Sequence, residues 1–380
     1  MANRQCPLRL NQRHTFRKMK KSHHRHSHHH DSKAKKITIY CLVGFNVAIT
    51  LVMILSAFSG TLAPQDHPKL SVLPLLFPFL LLANILLAVM WLFIRKKFAL
   101  ISLAGMLLCI TDIRAICPIN LPSTAPQGSI KVMSFNVGNN QVDKNPELIE
   151  YITKSNPDIL CLQECNTHSK ILEDTVIKQN YPYIEYNENK ASTVVCLSKY
   201  PITSAENINY ESKGNSSSAY NVLIDKDTML IVNNHFQSYL LKPFEIDEYK
   251  GITGKSTSME EREKGTKDIV SKVSEANKKR GPQVDKVCEY IDKHFKRHTI
   301  VVGDFNEPPT SYAHYKLTKK LKDAFTRAGN GLGFTYSRNK IHYRIDHILY
   351  SDNMTPYETE VDKSCKISDH YPIFCYFKLD

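Results

Sequence analysis

Two different patterns of apolar residues divide the chain. Residues 37–58 and 70–94 form two uncharged apolar runs, and each is long enough to cross a lipid bilayer as a helix. A third apolar run, residues 98–117, is shorter and carries charged residues near its far end. From Ile130 onward, short apolar runs alternate with polar stretches of helical spacing. This second pattern predicts a mixed α/β domain.

The third apolar run leaves two membrane topologies open. As a third span it places Arg114 near the far interface, where a long basic side chain can reach the head groups. As an amphipathic or re-entrant piece it does not cross. The 11 Lys and Arg residues of 1–36 and the basic residues 95–97 are expected on the cytoplasmic side. We favour three spans, which place the chain after residue 117 on the extracytoplasmic side; with two spans it stays cytoplasmic.

Composition predicts the remaining divisions of the chain. Residues 1–36 are basic, His-rich and of low complexity, which predicts a disordered tail. Residues 37–117 are predicted to hold two or three transmembrane helices. Residues 118–129, rich in Pro and Ser, are predicted to be a linker to a domain over 130–380. Within that domain, the highly charged and helix-competent residues 239–282 are predicted to form an insertion or lid.

The net charge of +13 lies before residue 118, with +10 in the N-terminal tail and +3 in residues 37–117. After residue 117 the chain holds 34 basic and 34 acidic residues, so the α/β domain is neutral. Its composition therefore does not predict the basic surface that typically binds a long nucleic acid. Charge alone does not exclude a nuclease.

Polar side chains end several of the predicted strands. They are Asn136 in VMSFNV, Glu164 in ILCLQE, Asn233 and His235 in IVNNHF, Asp304 and Asn306 in IVVGDFN, Arg344 and Asp346 in YRIDHI, and Asp369 and His370 in KISDHYPI. Side chains two residues apart on a strand share a face, which predicts that each pair spaced in this way points the same way. Amide and carboxylate oxygens are ligands suited to Mg²⁺ or Mn²⁺, and histidines can polarise a phosphoryl oxygen or move a proton.

Other kinds of site are not indicated by the sequence. The chain contains no C-x-x-C pair, no G-x-S-x-G and no Walker-type phosphate loop.

The motifs SFNV, LQE, VNNH, GDFN, RIDHI and SDHYPI, in this order, resemble the motif series of the endonuclease/exonuclease/phosphatase superfamily, which has the DNase I-like fold. The resemblance covers residues 130–380. It implies a four-layer α/β sandwich, with two mixed sheets face to face and helices outside, here preceded by the N-terminal transmembrane helices. It also implies a Mg²⁺ or Mn²⁺ ion.

The resemblance implies a role for each matching residue. Asn136 and Glu164 would hold the metal, with Glu164 as the main ligand and Asp369 beside the metal or the leaving group. Asp304 would activate or orient the attacking water, and Asn306 would hold that water and a phosphate oxygen.

The implied roles of the histidines concern the phosphate. Asp346 would buttress His370, which would face the scissile phosphate, and His235 would contact the phosphate. On the substrate side we also place Arg344, Arg280 and Asn233. A surface salt bridge for Arg344, and a purely structural place for Arg280 at the end of the insertion, remain open alternatives.

The sequence thus predicts a membrane-anchored, divalent-metal-dependent phosphoesterase that hydrolyses a phosphodiester by in-line attack of water, as a nuclease or a generic phosphodiesterase. A lipid-directed phosphodiesterase or phosphatase, sphingomyelinase-like or phosphoinositide phosphatase-like, is the first alternative. A catalytically silent membrane scaffold with the same fold is the second. The expected partners are the bilayer and a phosphate ester: nucleic acid, lipid head group or small phosphodiester. No protein partner is inferred.

Overall fold

The structure is a computed structural model that describes residues 11–138, 146–166, 169–186, 193–212, 214–239, 259–338 and 341–380. The first part of the predicted insertion, residues 240–258, and the first ten residues of the tail lie outside the described residues.

Six helical segments precede the α/β domain. They are α1 (Asn11–Ser59), a 3₁₀ helix (Leu70–Leu76), α2 (Phe77–Ile94), a second 3₁₀ helix (Lys96–Phe98), α3 (Ala99–Leu108) and α4 (Ile110–Ile116). Lys33–Ser59 and Leu70–Ile94 are long and apolar enough to span a membrane. Lys96–Leu108 and Ile110–Ile116 meet at a bend of 71°, so together they make either one broken span or a re-entrant loop.

Helix α1 begins inside the tail for which we expected disorder. The helix runs without a break from Asn11 into the apolar residues that begin at Ile37. Helix growth adds one hydrogen bond per residue to an existing nucleus and is much easier than starting a new helix. An apolar helix at 37–58 can therefore extend backward into polar sequence.

Helices α1, α2 and α3 pack together through buried polar side chains. Thr50 donates a hydrogen bond to Asn84 Oδ1 at 2.7 Å, and Ser102 donates one to Asn46 Oδ1 at 2.8 Å. All four side chains are buried. Gly105 of α3 lies so close to α1 that an added Cβ would stand 2.2 Å from the Thr50 side chain. Small and polar residues at helix contacts are typical of membrane-embedded bundles.

Two six-stranded sheets form the centre of the domain. The first sheet contains, in spatial order, β13 (Met354–Val361), β14 (Ile373–Leu379), β1 (Ile130–Asn136), β2 (Ile159–Cys165), β4 (Thr193–Ser198) and β3 (Tyr183–Tyr186). The second contains β5 (Ile202–Asn207), β6 (Ser216–Ile224), β7 (Asp227–His235), β8 (His298–Asp304), β12 (Asp346–Tyr350) and β9 (Lys322–Asp323). Strands β10 (Tyr336–Arg338) and β11 (Ile341–Tyr343) form a separate hairpin.

Both sheets are mixed. β1 pairs parallel to β2 and β7 pairs parallel to β8, while their other neighbours run antiparallel. Both faces of each sheet are covered, which explains the continuous apolar runs in the sequence. In β8, for example, Ile300 and Val302 face the core between the sheets, and Val301 faces the core beneath the outer helices.

Helices cover the outer face of each sheet. The domain helices are α5 (Glu147–Ser155), α6 (Lys170–Glu173), α7 (Thr175–Asn180), α8 (Met259–His294), α9 (Tyr312–Leu317) and α10 (Ala324–Ala328). Helices α5, α6 and α7 pack on the first sheet, and α8 and α9 pack on the second. This arrangement confirms the four-layer α/β sandwich.

The predicted insertion overlaps a helix of the domain, and the predicted linker contacts the domain. Helix α8 is continuous through residue 282, so the second part of the insertion is the first half of a long domain helix with Pro282 inside it. The linker is held against the domain: Asn120 donates side-chain hydrogen bonds to the carbonyls of Thr326 and Gly329, at 3.2 and 2.6 Å. The residues that form such contacts lie far apart in the sequence, so no local pattern predicts them.

Residues 60–76, which connect α1 to α2, also contact the domain; we call them the juxtamembrane segment. The Tyr343 hydroxyl donates to the carbonyl of Leu75 at 3.0 Å, and Thr310 donates to the carbonyl of Pro74 at 3.3 Å. Asn277 of α8 donates to the carbonyl of Ser71 at 2.9 Å. The domain therefore rests on the segment that joins the first two apolar helices.

Candidate active site

Three of the expected site residues form one row across the second sheet. His235, Asp304 and Asp346 lie opposite one another on the neighbouring strands β7, β8 and β12. His235 and Asp304 end their strands, and Asp346 begins its own because β12 runs antiparallel to β8. The polar ends of three apolar strands therefore meet at one edge of the sheet.

The first sheet adds Asn136 and Glu164 to this row. Asn136 ends β1, and its side-chain amide donates to Asp304 Oδ2 at 3.0 Å and to Glu164 Oε1 at 3.3 Å. The pairing of β2 with β4 is interrupted between Leu162 and Cys165, and Glu164 has a φ of 53° there. Bulges of this kind redirect a side chain near many active sites.

Gly303, the residue before Asp304, is required by close packing of β8 on β7. Its φ is +127°, and an added Cβ would lie 2.0 Å from the carbonyl oxygen of Asn234. Only glycine adopts this conformation at this spacing without displacing the neighbouring strand. The glycine of the GDFN motif thus allows the strand bearing Asp304 to lie close to the strand bearing His235.

His370 and Asp346 form a buried pair. His370 Nδ1 lies 2.9 Å from Asp346 Oδ2, and His370 Nε2 lies 3.8 Å from Asp304 Oδ2. The ring of Tyr336 contacts the His370 ring edge-on at 5.1 Å, and the two residues form an isolated β-bridge. Within the described part of the chain, Asp346 Oδ1 is buried without a hydrogen-bond partner.

His235 is buried on the other side of Asp304. Its Nε2 lies 3.5 Å from Glu164 Oε1 and 3.9 Å from Asp304 Oδ2. Neither ring nitrogen has a hydrogen-bond partner among the described residues. A buried imidazole without partners is costly unless a ligand completes its hydrogen bonds, so His235 is suited to contact a bound phosphate.

The two histidines differ in charge because their surroundings differ. Burial lowers the pKa of His235, which keeps that ring neutral. Burial alone would also lower the pKa of His370, but the carboxylates of Asp346 and Asp304 raise it to about 10. Burial and the nearby charge of Asp346 raise the pKa of Asp304 to about 7. Near neutral pH the site therefore holds a cationic His370 beside a carboxyl group that can exchange a proton.

Asn306 reaches the site by a turn and not by strand periodicity. β8 ends at Asp304, and the backbone N–H of Asn306 donates back to Asp304 Oδ1 at 2.8 Å. Asn306 has a φ of 52°, and its side-chain amide donates to the carbonyl of Phe236 at 3.0 Å. The expectation that residues 304 and 306 share a strand face is corrected, because an Asx turn ends the strand.

Arg344 is directed away from the site. Its guanidinium lies 4.3 Å from the Phe325 ring and 3.7 Å from Asp323 Oδ2, and it donates to the carbonyl of Ala115 in α4. Arg344 precedes β12, so the two-residue period does not link its direction to that of Asp346. This corrects both the expected phosphate contact and the surface salt bridge, since Arg344 is buried.

Arg280 forms a buried ion pair and not an open contact surface for substrate. Its Nη1 lies 2.7 Å from Glu307 Oε1 and 2.6 Å from Asn277 Oδ1, and its Nε donates to the carbonyl of Gln237 at 2.8 Å. The side chains of Arg280 and Glu307 are 1% and 4% exposed. The structure therefore favours the structural alternative for Arg280.

Asn233 joins the two sheets beneath the site. Its side-chain amide donates to the carbonyls of Leu162 and Val195, and its Oδ1 accepts from Gln163 at 2.7 Å. Asn233 is fully buried, so the structure gives it no surface that a substrate can reach. Its expected role in substrate binding is corrected to one in sheet packing.

Asp369 lies at the edge of the site, next to His370. Its Oδ2 accepts from Arg338 at 3.2 Å, and its Oδ1 accepts from Ser368 at 3.4 Å. Two residues that the sequence did not single out are Glu307, the partner of Arg280, and Tyr336, which contacts His370. Glu307 directly follows GDFN, and this position next to the motif could have indicated that it lies near the site. Tyr336 lies on a three-residue strand, which has no detectable sequence pattern.

Comparison with known sequences identifies the family. The model of the endonuclease/exonuclease/phosphatase family matches residues 133–370. The chain belongs to this family. A domain of unknown function (DUF8431) matches residues 38–116, and no curated protein shows significant similarity to the chain.

Solved structures show distant likeness to the family domain. A TDP2 from D. rerio complexed with a single-strand DNA product is 18% identical, with a TM-score of 0.48, and the match covers 66% of this chain and 100% of that one. A mannosyl-6-phosphatase from Bacteroides thetaiotaomicron is 16% identical (TM-score 0.46, covering 66% and 100%). The human nocturnin catalytic domain is 16% identical (TM-score 0.46, covering 68% and 97%). At this distance the likenesses do not indicate a substrate.

Members of this family generally use a divalent metal, and the residues of this site fit one. Glu164, Asp304 and Asp346 bring three carboxyl groups together against one cationic histidine, His370. A divalent cation would offset that excess of negative charge, and the oxygens of Glu164 and Asn136 are ligands of the hard type that Mg²⁺ and Mn²⁺ prefer. Glu164 is the most open of the three acids, with 31% of its side chain exposed.

Proposed function

We propose that the chain is a membrane-anchored, divalent-metal-dependent phosphoesterase that hydrolyses a phosphoric ester by in-line attack of water. The observation that carries this proposal is the convergence of Asp304 with Asn136, His235 and His370 at one edge of the sandwich. These contacts join residues from both sheets. The metal would be held by Glu164 and Asn136, with Asp369 beside it.

In the proposed reaction, water attacks phosphorus as the ester P–O bond breaks; Asp304 takes up the proton of the water, and the leaving alkoxide takes a proton from solvent. Its two oxygens are held by different donors, Oδ1 by the Asn306 N–H and Oδ2 by the Asn136 amide, so its orientation is fixed. A pKa of about 7 lets it act as a base near neutral pH. Asn306 then lies one turn beyond the base, near the water and a phosphate oxygen.

The two histidines stabilise the phosphoryl group in different ways. Cationic His370, held by Asp346, neutralises charge that develops on the equatorial oxygens. Neutral His235 donates a hydrogen bond to another of these oxygens. A divalent cation, when bound, supplies further neutralisation of the phosphate charge.

We also propose three membrane passes, with the family domain on the extracytoplasmic side. If α1 and α2 both cross, the juxtamembrane segment lies on the opposite face from residues 1–36 and 95–97. Its contacts with Tyr343 and Thr310 require the domain to be on that same face. The chain must then cross once more after residue 97.

Helices α3 and α4 are suited to this third pass. Ser102 lies level with Asn46, Gly105 with Thr50, and Cys109 packs in the same cluster as Met53, so α3 runs parallel to α1. The basic tail and residues 95–97 then remain cytoplasmic.

Replacement of Glu164 by Gln tests the proposed activity. The full-length protein in detergent, assayed with Mg²⁺ or Mn²⁺ on bis-p-nitrophenyl phosphate, should lose most of its hydrolysis in this variant. Glu289→Gln, at an exposed position on α8, is the matched control and should stay active. Undiminished metal-dependent hydrolysis by Glu164→Gln would refute the assignment.

A catalytically silent scaffold makes a different prediction about the metal. For an enzyme whose metal binds the folded state, Mg²⁺ at about 100 times its dissociation constant adds about 2.7 kcal/mol of stability. A melting scan of the full-length protein with Mg²⁺ and with EDTA should therefore show a higher midpoint with the metal. The scaffold predicts identical midpoints.

A further inference from the structure

We infer that the substrate is a phosphoester carried by a lipid of the same bilayer that anchors the chain. This inference rests on the proposed phosphoesterase function and on the proposed membrane insertion, and it specifies the substrate class. The observations that support it are the place of the site relative to the juxtamembrane segment, two exposed apolar side chains and the charge of the domain.

The rim of the site rests on the juxtamembrane segment at two points. One rim segment is the turn 306–311, which follows Asp304, and its Thr310 donates to the carbonyl of Pro74. The other is the β10–β11 hairpin, whose Tyr343 donates to the carbonyl of Leu75. Both rim segments thus contact neighbouring residues of a single 3₁₀ helix.

That 3₁₀ helix lies at the depth of the lipid head groups. Helix α2 begins at Phe77, one residue after the 3₁₀ helix ends, and contains 18 residues. At 1.5 Å per residue it is about 27 Å long, close to the hydrocarbon thickness of a bilayer. The whole apolar segment Leu70–Ile94 is longer than that thickness, so the 3₁₀ helix at its start is placed where the hydrocarbon meets the lipid phosphates.

The reacting groups are a short distance from this level. His370 forms a β-bridge with Tyr336, and Tyr336 is paired with Tyr343, whose hydroxyl contacts Leu75. Adjacent strands are about 4.8 Å apart, so about 10 Å of strand spacing separates the backbone of His370 from that of Tyr343. The Tyr343 side chain continues this path to the carbonyl of Leu75, so two strand spacings and one tyrosine side chain connect the backbone of His370 to the 3₁₀ helix.

Two exposed apolar side chains follow the last of the apolar helices. Ile119 and Leu121 are 89% and 91% exposed, immediately after α4. Asn120, between them, is held against the domain by hydrogen bonds to Thr326 and Gly329, so its neighbours point outward. Exposed apolar residues that follow a membrane span are suited to insert among lipid head groups.

The charge of the domain favours a lipid over a long nucleic acid. With 34 basic and 34 acidic residues after position 117, the domain lacks an overall attraction for a polyanion. An enzyme that shares a bilayer with its substrate needs no such attraction, because anchoring already brings the two together.

The test uses full-length protein in nanodiscs of a phosphate-free galactolipid with Mg²⁺. Phosphatidic acid, sphingomyelin or a phosphatidylinositol phosphate is added at increasing mole fraction while its total concentration is held constant. Bis-p-nitrophenyl phosphate and a single-stranded oligonucleotide are the soluble comparisons. We expect turnover of at least one lipid, at a rate that follows its mole fraction in the disc and not its bulk concentration.

Each other result has a defined meaning. Turnover of soluble esters or of the oligonucleotide with no lipid turnover would overturn the inference and leave the phosphoesterase function standing. No metal-dependent turnover of any probe would overturn the proposed function itself. The variant Ile119→Ser/Leu121→Ser should show a selective loss on lipid with an unchanged rate on bis-p-nitrophenyl phosphate; Val176→Ser, exposed on α7, should change neither rate. An equal rate on lipid for all three proteins would count against the role of these two side chains and the surface they define.

Discussion

Replacement of Arg280 by Met should destabilise the domain and slow catalysis without weakening substrate binding. Arg280 and Glu307 are almost fully buried and 2.7 Å apart. Removal of Arg280 leaves the Glu307 carboxylate with the backbone N–H of Ala313 but without a compensating charge. Loss of one partner of a buried ion pair costs about 3–5 kcal/mol.

This cost translates into a large change in melting temperature. For a domain of this size, 1 kcal/mol shifts the midpoint by about 2–4 °C, so the variant should melt roughly 6–20 °C lower. Catalysis should fall as well, because Glu307 follows Asn306 and Arg280 also holds the carbonyl of Gln237, two residues after His235. The effect should appear in kcat, since Arg280 has no exposed surface to contact substrate.

Thermal melting and steady-state kinetics of full-length protein in detergent would check both effects. Lys286→Met removes an exposed basic residue on the same helix and is the control; it should melt as the parent does. The double variant Arg280→Met/Glu307→Met should recover much of the lost stability, because apolar replacement of a whole buried pair is often neutral or better. A raised KM with an unchanged melting temperature in Arg280→Met would refute this reasoning and restore a substrate-binding role.

Two further substitutions test the site. Asp346→Asn removes one of the carboxylates that raise the pKa of His370 to about 10. If that pKa falls to the ordinary value of about 6.5, about three quarters of His370 is protonated at pH 6. At pH 8 the protonated fraction is then about 3%. From His370 alone, the activity of the variant relative to the parent should thus fall roughly 25-fold between pH 6 and pH 8, and a ratio that is independent of pH in kcat profiles would contradict the role of a cationic His370. Gly303→Ala places a Cβ 2.0 Å from the Asn234 carbonyl at a φ of +127°, so the melting temperature should fall by several degrees, with about 1–3 kcal/mol from the backbone alone. Gly214→Ala, where nothing lies within 4 Å, is the control, and equal melting of the two variants would show that β7 and β8 tolerate the side chain.

The fold was predictable because its determinants are local. Apolar runs bounded by polar residues mark β1, β2, β7 and β8, and the polar residue at the end of each run falls at the edge of a sheet. Strand ends that share an edge bring their side chains together, which is why Asn136, Glu164, His235 and Asp304 converge. The two mixed sheets were predicted from the family resemblance, which rests on the order of the motifs.

The residues whose expected contacts failed lie outside regular strands or inside the core. A two-residue period fixes the direction of a side chain only within a strand. Strand β8 ends at Asp304, and strand β12 begins at Asp346. Asn306 and Arg344 therefore take directions set by a turn and by a tertiary ion pair. For Arg280 and Asn233 the reason is different: a polar residue near a motif gives no local sign of whether its partner is a substrate or a buried group such as Glu307.

The predicted insertion also contains part of a domain helix, which its composition did not indicate. Its second half belongs to α8, and one turn of that helix contacts both the juxtamembrane segment and the turn beside the site. Asn277 donates to the carbonyl of Ser71 while its Oδ1 accepts from Arg280, and Arg280 in turn pairs with Glu307. The helix therefore forms a short, buried connection between the 3₁₀ helix that precedes α2 and the residue that follows Asn306. Because one side chain, that of Asn277, makes both contacts, a shift of the 3₁₀ helix that moved its amide group would also disturb its bond to Arg280.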